Sequence, residues 1–188
     1  RNAHKTGEIR SMIGGRFEVL DATAFADFPE IEETGTTFLE NARLKAEGIS
    51  RHIKGWVLSD DSGLEVDALG GAPGVWSSSY GGEEGNHAKN NARLLLEMAG
   101  KADRGARFRC TMVVARGGVE QAAFSGTVEG RLVESLHGVG GFGYDPLFVP
   151  DGHAKTFAEL GDEVKNTLSH RARALQQVIG FLDENGFK

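Results

Sequence analysis

The chain has 188 residues, a formal net charge of −6 and a single cysteine. This length suffices for one domain, or two small lobes, that buries roughly 70% of its unfolded surface. The negative charge argues against bulk DNA or RNA as a partner, because polyanion binding relies on a clustered basic surface. A small phosphorylated ligand remains compatible with this charge, since a few local cations and a metal suffice to bind it.

The lone Cys110 excludes an internal disulfide and a cysteine-rich zinc site, and its apolar surroundings in sequence predict a buried structural thiol. No apolar stretch approaches the roughly 20 residues of a membrane span, and no signal-peptide pattern opens the chain. We therefore expect a soluble, cytoplasmic protein with no membrane contact.

The N-terminal third predicts a helix, a strand, an acidic loop and a second helix. The chain opens on a helix-like stretch with no strand before it, so we expect the first strand of the fold to lie upstream of residue 1. A short strand is predicted at Phe17–Leu20 and an acidic loop at Asp21–Gly35. Thr37 and Glu40 then form a capping box that starts a helix with an apolar face.

The middle of the chain alternates apolar runs with turn residues. Trp56–Leu58 predicts a short buried strand, and the alternation over Leu64–Ala68 predicts a second, half-exposed one that ends at the turn Gly70–Gly74. A helix follows over His87–Ala99. Its predicted inward residues are Ala88, Ala92, Leu95 and Ala99.

The C-terminal half predicts a hairpin followed by two helices. Arg107–Arg116 is the clearest strand, and it turns at Gly117-Gly118 into a partner strand. Thr156 and Glu159 repeat the capping-box pattern, and the last helix carries the apolar stripe Leu175, Val178, Ile179 and Leu182. Helices interleaved with strands, plus one meander, indicate an α/β or α+β fold with a mixed sheet.

Two adjacent carboxylates, Asp60 and Asp61, follow the first short strand and precede Ser62-Gly63. A solvated turn explains this run as well as a ligand site does, since Asp, Ser and Gly are ordinary turn residues. Ligands of open α/β sheets bind beyond strand ends, and Mg²⁺ prefers one or two carboxylates plus waters and substrate phosphates. The pair Glu32-Glu33 could complete such a site, and an acidic surface loop explains that pair equally well.

The glycine run Gly138–Gly143 matches the letters of the dinucleotide fingerprint G-x-G-x-x-G. That motif requires a helix after the glycines, whereas Tyr144–Val149 predicts a strand, so the match is rejected. The stretch Phe142–Asp145 places two aromatic faces and a carboxylate beside backbone that a ligand can approach closely. The glycines alone indicate a flexible loop, whereas these aromatic and acidic residues make a stacked base an alternative occupant.

Other polar side chains are open to two interpretations. Asn41 and Lys45 lie one turn apart on the capped helix, where such pairs usually lie on the surface. Lys165 and His170-Arg171 precede the last helix and form either a solvated helix start or a phosphate site at a helix N-terminus. No P-loop and no zinc-type histidine pair occurs in the sequence.

Six stretches occur in a fixed order: Asn2-x-x-Lys5; Glu32-Glu33-Thr34-Gly35-x-Thr37-Phe38-x-Glu40-Asn41-Ala42; Asp60-Asp61-Ser62-Gly63-Leu64; Gly70-Gly71-Ala72-Pro73-Gly74; Gly140-Gly141-Phe142-Gly143-Tyr144-Asp145-Pro146; and Ser169-His170-Arg171. Each stretch alone is a weak signal, whereas the ordered set is specific. Together they resemble the inosine triphosphate pyrophosphatase family, the non-canonical purine NTP pyrophosphatases, over essentially the whole chain.

The resemblance implies an elongated α/β fold with a mixed sheet, two lobes around a nucleotide cleft, and a homodimer. It also implies hydrolysis of ITP, dITP or XTP to the monophosphate and pyrophosphate, with Mg²⁺ as cofactor and Mn²⁺ as an open substitute. A related pyrophosphatase for modified pyrimidine nucleotides, and a nucleotide-binding regulator without turnover, are the competing hypotheses.

The resemblance also implies residue roles. Asp61 is the general base and a metal ligand, with Asp60 a supporting carboxylate and Glu32 or Glu33 helping to hold the ion. The implied contacts to phosphate or sugar are Asn2, Lys5, Lys45, Ser62 and Lys165. The residues implied to surround and read the base are Phe142, Gly143, Tyr144, Asp145, His170 and Arg171.

Overall fold

The computed structural model describes residues 3–25 and 31–186. Its α-helices are α1 (Ala3–Ile13), α2 (Phe38–Ser50), α3 (His87–Glu97), α4 (Phe157–Leu168) and α5 (His170–Glu184). Its strands are β1 (Trp56–Val66), β2 (Gly105–Arg116), β3 (Val119–Leu132) and β4 (Phe148–Pro150). Short 3₁₀ segments cover Ala22–Ala24, Asp67–Leu69 and Gly74–Trp76. None of the helices in these ranges is long and apolar enough to span a membrane.

The four strands form one open antiparallel sheet in the order β1-β2-β3-β4. Gly117 and Gly118 join β2 to β3 with φ values of 60° and 83°. A two-residue turn with both φ angles positive matches the twist of an antiparallel hairpin, so these strands run antiparallel as predicted. β3 pairs with β4 in the register Gly130 to Pro150 and Leu132 to Phe148. The predicted α/β class is confirmed. A mixed sheet would contain parallel pairs, whereas the sheet formed by the described strands is antiparallel.

The chain divides into two compact units. Unit 1 contains Arg1–Asp61, Cys110–Gly126 and Arg171–Lys188, and unit 2 contains Ser62–Arg109 and Thr127–His170. Each unit has its own hydrophobic core, so each can hold functional side chains in fixed positions.

In unit 1, the core collects apolar residues of α1, β2 and α5. Cys110 and Met112 are fully buried there, and Leu175 and Val178 of the predicted α5 stripe pack against them. Burial raises the pKa of the Cys110 thiol to about 12, as the predicted structural thiol requires. The capping box of Thr37 and Glu40 is formed, so the predicted start of α2 is confirmed.

In unit 2, the core is built around stacked aromatic rings. The Phe108 ring lies 4.7 Å from that of Phe148, and Phe148 stacks on Phe157 at 5.5 Å. The predicted capping box of Thr156 and Glu159 starts α4 at Phe157. These contacts anchor the start of α4, whose backbone departs from helical geometry at Gly161 before it reaches Lys165.

The inward face predicted for α3 is wrong at its alanines, although the predicted Leu95 does pack against the unit 2 core. Ala88 and Ala92 are exposed, and the buried helix residues are Asn90, Asn91 and Leu94. The two asparagines are buried because they bond to neighbouring loops. Asn90 accepts from the Gly81 N–H at 2.6 Å and donates to the Ser78 carbonyl at 2.9 Å.

Two strand predictions are also wrong. Phe17–Leu20 is not a strand: Phe17 and Val19 pack on the unit 1 core, and the Val19 carbonyl accepts from the Arg10 side chain at 3.0 Å. The two short strands predicted around Asp60-Asp61 are in fact the single strand β1, which continues through both aspartates. The pair therefore lies within a strand and not in a turn at its end.

Candidate functional site

The position of Asp60 and Asp61 inside β1 separates their side chains. Successive residues of a strand point to opposite faces of the sheet, so the two carboxylates face different neighbours. Asp61 contacts α2, whereas Asp60 contacts residues of α1, β2 and α5. The prediction that both support one metal ion from adjacent positions is not matched by this geometry.

Asp61 forms a cluster with Glu33, Asn41 and Lys45, which we call the Asp61 cluster. Asn41 and Lys45 lie one turn apart on α2 and both reach the carboxylate: the Asn41 amide donates to Oδ2 at 3.3 Å, and the Lys45 Nζ lies 3.6 Å from Oδ1. The same Nζ lies 2.8 Å from Glu33 Oε2. The predicted surface pair on α2 therefore points into a site.

The loop that carries Glu33 is fixed to α2 by a close approach. The Gly35 N–H donates to the Asn41 side-chain oxygen at 2.8 Å. A Cβ added at Gly35 would lie 2.6 Å from the Glu40 Cβ and 2.7 Å from that same oxygen. Only glycine allows this contact, so Gly35 and Asn41 together determine where Glu33 lies.

Burial and charge act in opposite directions on the Asp61 cluster. Asp61 is only 8% exposed, and burial raises the pKa of its carboxyl; nearby Glu33 also raises it, while Lys45 and the Asn41 bond lower it. Burial alone would lower the pKa of Lys45, but the charges of Asp61 and Glu33 outweigh it, so that pKa is raised. The result is a charged lysine beside a carboxylate that binds a proton more readily than an ordinary aspartate.

Asp60 forms its direct ion pairs with a second set of buried charges, and its charge also acts on Lys45 of the Asp61 cluster. Its Oδ2 lies 3.0 Å from an Arg171 guanidinium nitrogen and 3.2 Å from the Lys5 Nζ, and the Cys110 thiol approaches it at 3.9 Å. Burial alone would raise the pKa of Asp60, but Lys5 and Arg171 outweigh it and hold that pKa far below its usual range. Asp60 is therefore a permanent anion that anchors two cations.

Arg171 is 1% exposed, and its guanidinium also bonds to Glu8 of α1. The interpretation of this residue as part of a solvated helix start is wrong. Glu8 was not predicted as a site residue. Its spacing of three residues from Lys5 on α1 was the available signal, because residues i and i+3 share a helix face.

The four acidic residues predicted to bind metal do not form one group. Glu32 and Glu33 are both exposed, but Glu33 pairs with the Lys45 ammonium beside Asp61, whereas Asp60 is held by its own cations. Among residues 3–25 and 31–186, no three or more His, Cys, Asp or Glu side chains are placed to hold an ion together. Asp61 and Glu33 remain as the acidic pair that shares a cationic neighbour. Asn2 lies outside the described residues.

In unit 2, the stretch Phe142–Asp145 is held by a buried ion pair. Lys165 Nζ lies 2.6 Å from Asp145 Oδ2, and both side chains are 3% exposed. The same oxygen accepts from the Phe142 N–H at 2.8 Å, and the Lys165 ammonium lies 4.4 Å from the centre of the Phe142 ring. These contacts fix one aromatic face, with a cation on it.

Close backbone approach explains part of the glycine run. A Cβ at Gly141, whose φ is 70°, would lie 2.2 Å from the Asp145 carboxylate. The Gly143 carbonyl accepts from the Asn91 amide of α3 at 2.9 Å, a contact that sequence reasoning missed because α3 was assigned a different inward face. The Tyr144 hydroxyl donates to the Ser77 carbonyl at 2.8 Å, so its ring is packed inward.

The remaining predicted residues are His170 and Ser62. His170 is buried and stacks on Phe108, with ring centres 4.9 Å apart and an angle of 14° between the planes. Ser62 is half-buried within β1. Unit 2 thus collects Phe142, Gly143, Tyr144, Asp145, Lys165 and His170, whereas unit 1 holds the Asp61 cluster and the Asp60 ion pairs.

Comparison with known proteins places this geometry in a family. Residues 1–181 match the Ham1 family. A dITP/XTP pyrophosphatase from Geobacillus kaustophilus (strain HTA426) is 48% identical over 181 residues, which cover 95% of this chain and 89% of that protein. The solved structure of the Staphylococcus aureus Ham1 protein has a TM-score of 0.88 at 36% identity, with coverage of 98% of this chain and 96% of that one.

A HAM1 protein from Coxiella burnetii also has a TM-score of 0.88, at 38% identity, with 98% of this chain and 95% of that chain covered. Identity of this size over nearly the full length extends well beyond the six short motifs. The resemblance predicted from those motifs is confirmed, and the chain belongs to the Ham1 family.

Proposed function

We propose that this chain hydrolyses the non-canonical purine nucleoside triphosphates ITP, dITP and XTP to the nucleoside monophosphate and pyrophosphate. The observation that carries the proposal is Asp61, a carboxylate with a raised pKa beside Lys45 and Glu33. The 48% identity to a protein named dITP/XTP pyrophosphatase supports the same activity.

A divalent metal requirement is general for pyrophosphatases of this family, and we propose Mg²⁺, with Mn²⁺ as a substitute. The donor set fits a hard ion, because Glu33 and Asp61 offer only carboxylate oxygens and the Lys45 ammonium already places a positive charge beside both. Asp61 and Glu33 would hold the ion, with waters and substrate phosphates as its other ligands. When bound, Mg²⁺ offsets the negative charge of the phosphate oxygens.

In the proposed reaction, Asp61 accepts a proton from the water that attacks the α-phosphorus. A bond forms between the water oxygen and that phosphorus, the bond to the bridging oxygen breaks, and its electron pair leaves with pyrophosphate. Asn41 holds the carboxylate through Oδ2, and Lys45 contributes positive charge for the phosphates.

We propose that unit 2 reads the base. The Phe142 ring, fixed by Asp145 and Lys165, offers a stacking face. Hypoxanthine and xanthine present a 6-oxygen acceptor where adenine presents an amino donor, and His170 of unit 2 is our candidate donor. Arg171, the other donor implied by the resemblance, lies in unit 1, where its guanidinium bonds to Asp60 and Glu8. A site built on such bonds can discriminate by roughly 10⁴-fold, because the wrong base leaves buried groups unpaired.

A substrate panel tests the proposal. The protein is incubated with dITP, XTP, ATP and dUTP in the presence of Mg²⁺, and pyrophosphate and orthophosphate are measured separately. We expect pyrophosphate from dITP and XTP, with little turnover of ATP or dUTP. Preferred turnover of dUTP would support the pyrimidine alternative, orthophosphate from the outset would indicate a phosphatase, and tight binding without any product would indicate a regulator.

Three further features belong to the same proposal. We propose a homodimer and a cytoplasmic location. We also propose that the protein does not bind bulk nucleic acid, in keeping with its net charge of −6. Sedimentation velocity tests the first, and a sharp species at the monomer mass of 20.1 kDa at all concentrations would contradict it.

A further inference from the structure

The Lys45 ammonium lies beside both carboxylates that we assign to the metal. Its Nζ is 2.8 Å from Glu33 Oε2 and 3.6 Å from Asp61 Oδ1. A divalent ion bound here would need the same two carboxylates that now share the lysine ammonium. The lysine thus offsets, in the nucleotide-free protein, the charge that the metal offsets in the loaded protein.

We propose that Lys45 is a resident counter-ion of the metal site. Its ammonium pairs with Asp61 and Glu33 until the metal binds, and then moves to pair with the substrate phosphates. This inference rests on the proposed function for the identity of the metal ligands. It assigns Lys45 a second role, namely to weaken metal binding in the absence of nucleotide.

The chemistry of lysine suits such an exchange. Its ammonium is a compact charge on a flexible four-carbon stem, so it can move between partners without a change in the backbone. Lys45 is partly exposed, with 18% of its side chain accessible, whereas the fixed ion pair of Lys165 and Asp145 is 3% exposed on both sides. Of these two lysine–carboxylate pairs, the one at the metal site is the one with room to rearrange.

Asp61 does not depend on Lys45 alone for its position, and the backbone of the Glu33 loop is held independently of Lys45. Asn41 donates to Asp61 Oδ2 and accepts from the Gly35 N–H, so this one residue of α2 connects the helix both to β1 and to the loop that carries Glu33. Removal of the lysine charge should therefore leave Asp61 and the Glu33 loop in place and the two carboxylates free of their internal competitor.

The expected effect is a gain in metal affinity together with a loss of turnover. Lys45 forms two ion-pair contacts that an incoming metal must displace, and a tenfold change in affinity corresponds to about 1.4 kcal/mol. We therefore expect the substitution Lys45→Met to tighten metal binding by about tenfold in the nucleotide-free protein. A lysine that only contacts phosphate would leave metal affinity unchanged.

The test measures binding of Mn²⁺ to the nucleotide-free protein by electron paramagnetic resonance, which reports the free ion directly. The wild type is compared with Lys45→Met and with Arg43→Met, a matched control that removes an exposed positive charge from the same helix, where Arg43 pairs with Glu120. We expect about tenfold tighter binding for Lys45→Met, a change of less than about twofold for Arg43→Met, and wild-type affinity for Lys45→Arg, which keeps the charge.

Equal or weaker Mn²⁺ binding by folded Lys45→Met would overturn the inference. Should that variant unfold, Lys45→Gln replaces it, with the same expectation and the same contradicting result. The double variant Lys45→Met with Asp61→Asn should lose the gain, and a retained gain would place the ion elsewhere and also overturn the inference. Failure of the wild type to release pyrophosphate from dITP would contradict the proposed function alone, since Mn²⁺ binding is measured without nucleotide.

Discussion

The substitution Asp60→Asn should destabilise the folded protein much more than Asp61→Asn, although the two residues are neighbours in β1. Asp60 is the shared partner of Lys5 at 3.2 Å and Arg171 at 3.0 Å, and Arg171 is 1% exposed. Removing one partner of a buried ion pair typically costs about 3–5 kcal/mol, because it leaves a buried charge without compensation. Glu8 still pairs with Arg171, so we expect a loss near the lower limit, about 3 kcal/mol. For Asp61→Asn we expect less than about 1 kcal/mol, since Lys45 is more exposed and keeps Glu33.

The assay is equilibrium unfolding in urea, followed by circular dichroism, for the wild type and both variants. A carboxyl whose folded-state pKa is lowered stabilises the protein above its unfolded-state pKa of about 3.9 and loses that contribution as the pH falls through the folded value. The difference between wild type and Asp60→Asn should therefore be full at pH 7 and shrink below about pH 4. Equal losses of stability at Asp60 and Asp61, or a difference that grows on acidification, would refute the separation of the two aspartates into distinct clusters.

Three further predictions concern the Asp61 cluster. Asp61→Asn should fold normally and lose about 10²- to 10⁴-fold in kcat on dITP; near-normal turnover would refute its role as base. Lys45→Met, which removes the positive charge beside Asp61 and Glu33, should lower the turnover of dITP, whereas Arg43→Met, which removes an exposed charge of the same helix, should leave it close to wild type; equal losses would contradict the role of Lys45 at the phosphates. Gly35→Ala should weaken Mn²⁺ binding in a titration, because its Cβ would lie 2.7 Å from the Asn41 oxygen, whereas Gly7→Ala, in open space on α1, should not; equal effects would contradict the close-approach argument.

Local chemistry made the helix starts predictable from the sequence. Thr37 with Glu40 and Thr156 with Glu159 satisfy backbone N–H groups within one turn of the chain, so their effect does not depend on the rest of the fold. The Gly117-Gly118 hairpin is local in the same sense, because two positive φ angles suffice to set it.

The path of β1 was not predictable in the same way. Asp, Ser and Gly are depleted in strands, so a run that contains all three suggests a turn. The strand continues because distant residues stabilise its polar side chains: Lys5 and Arg171 for Asp60, and Asn41 and Lys45 for Asp61. Partners so distant in sequence leave no signal in a local pattern.

The candidate site was predicted by chemical type better than by arrangement. The resemblance implied roles for Asp61, for Glu32 or Glu33, and for Lys45. It placed Asp60 and Asp61 in one site, because separating them requires knowing that both lie in one strand with alternating faces. Burial of charge was missed for a related reason. Lys165 and Arg171 are usually surface residues, and only their carboxylate partners explain their inward positions.

The most direct test of the central claim is turnover of dITP in water enriched in ¹⁸O, with mass spectrometry of both products. Attack on the α-phosphorus predicts one ¹⁸O atom in dIMP and unlabelled pyrophosphate. Asp61→Asn should form much less of both products. Label in pyrophosphate, or release of labelled orthophosphate, would place the attack at another phosphorus and contradict the proposed reaction.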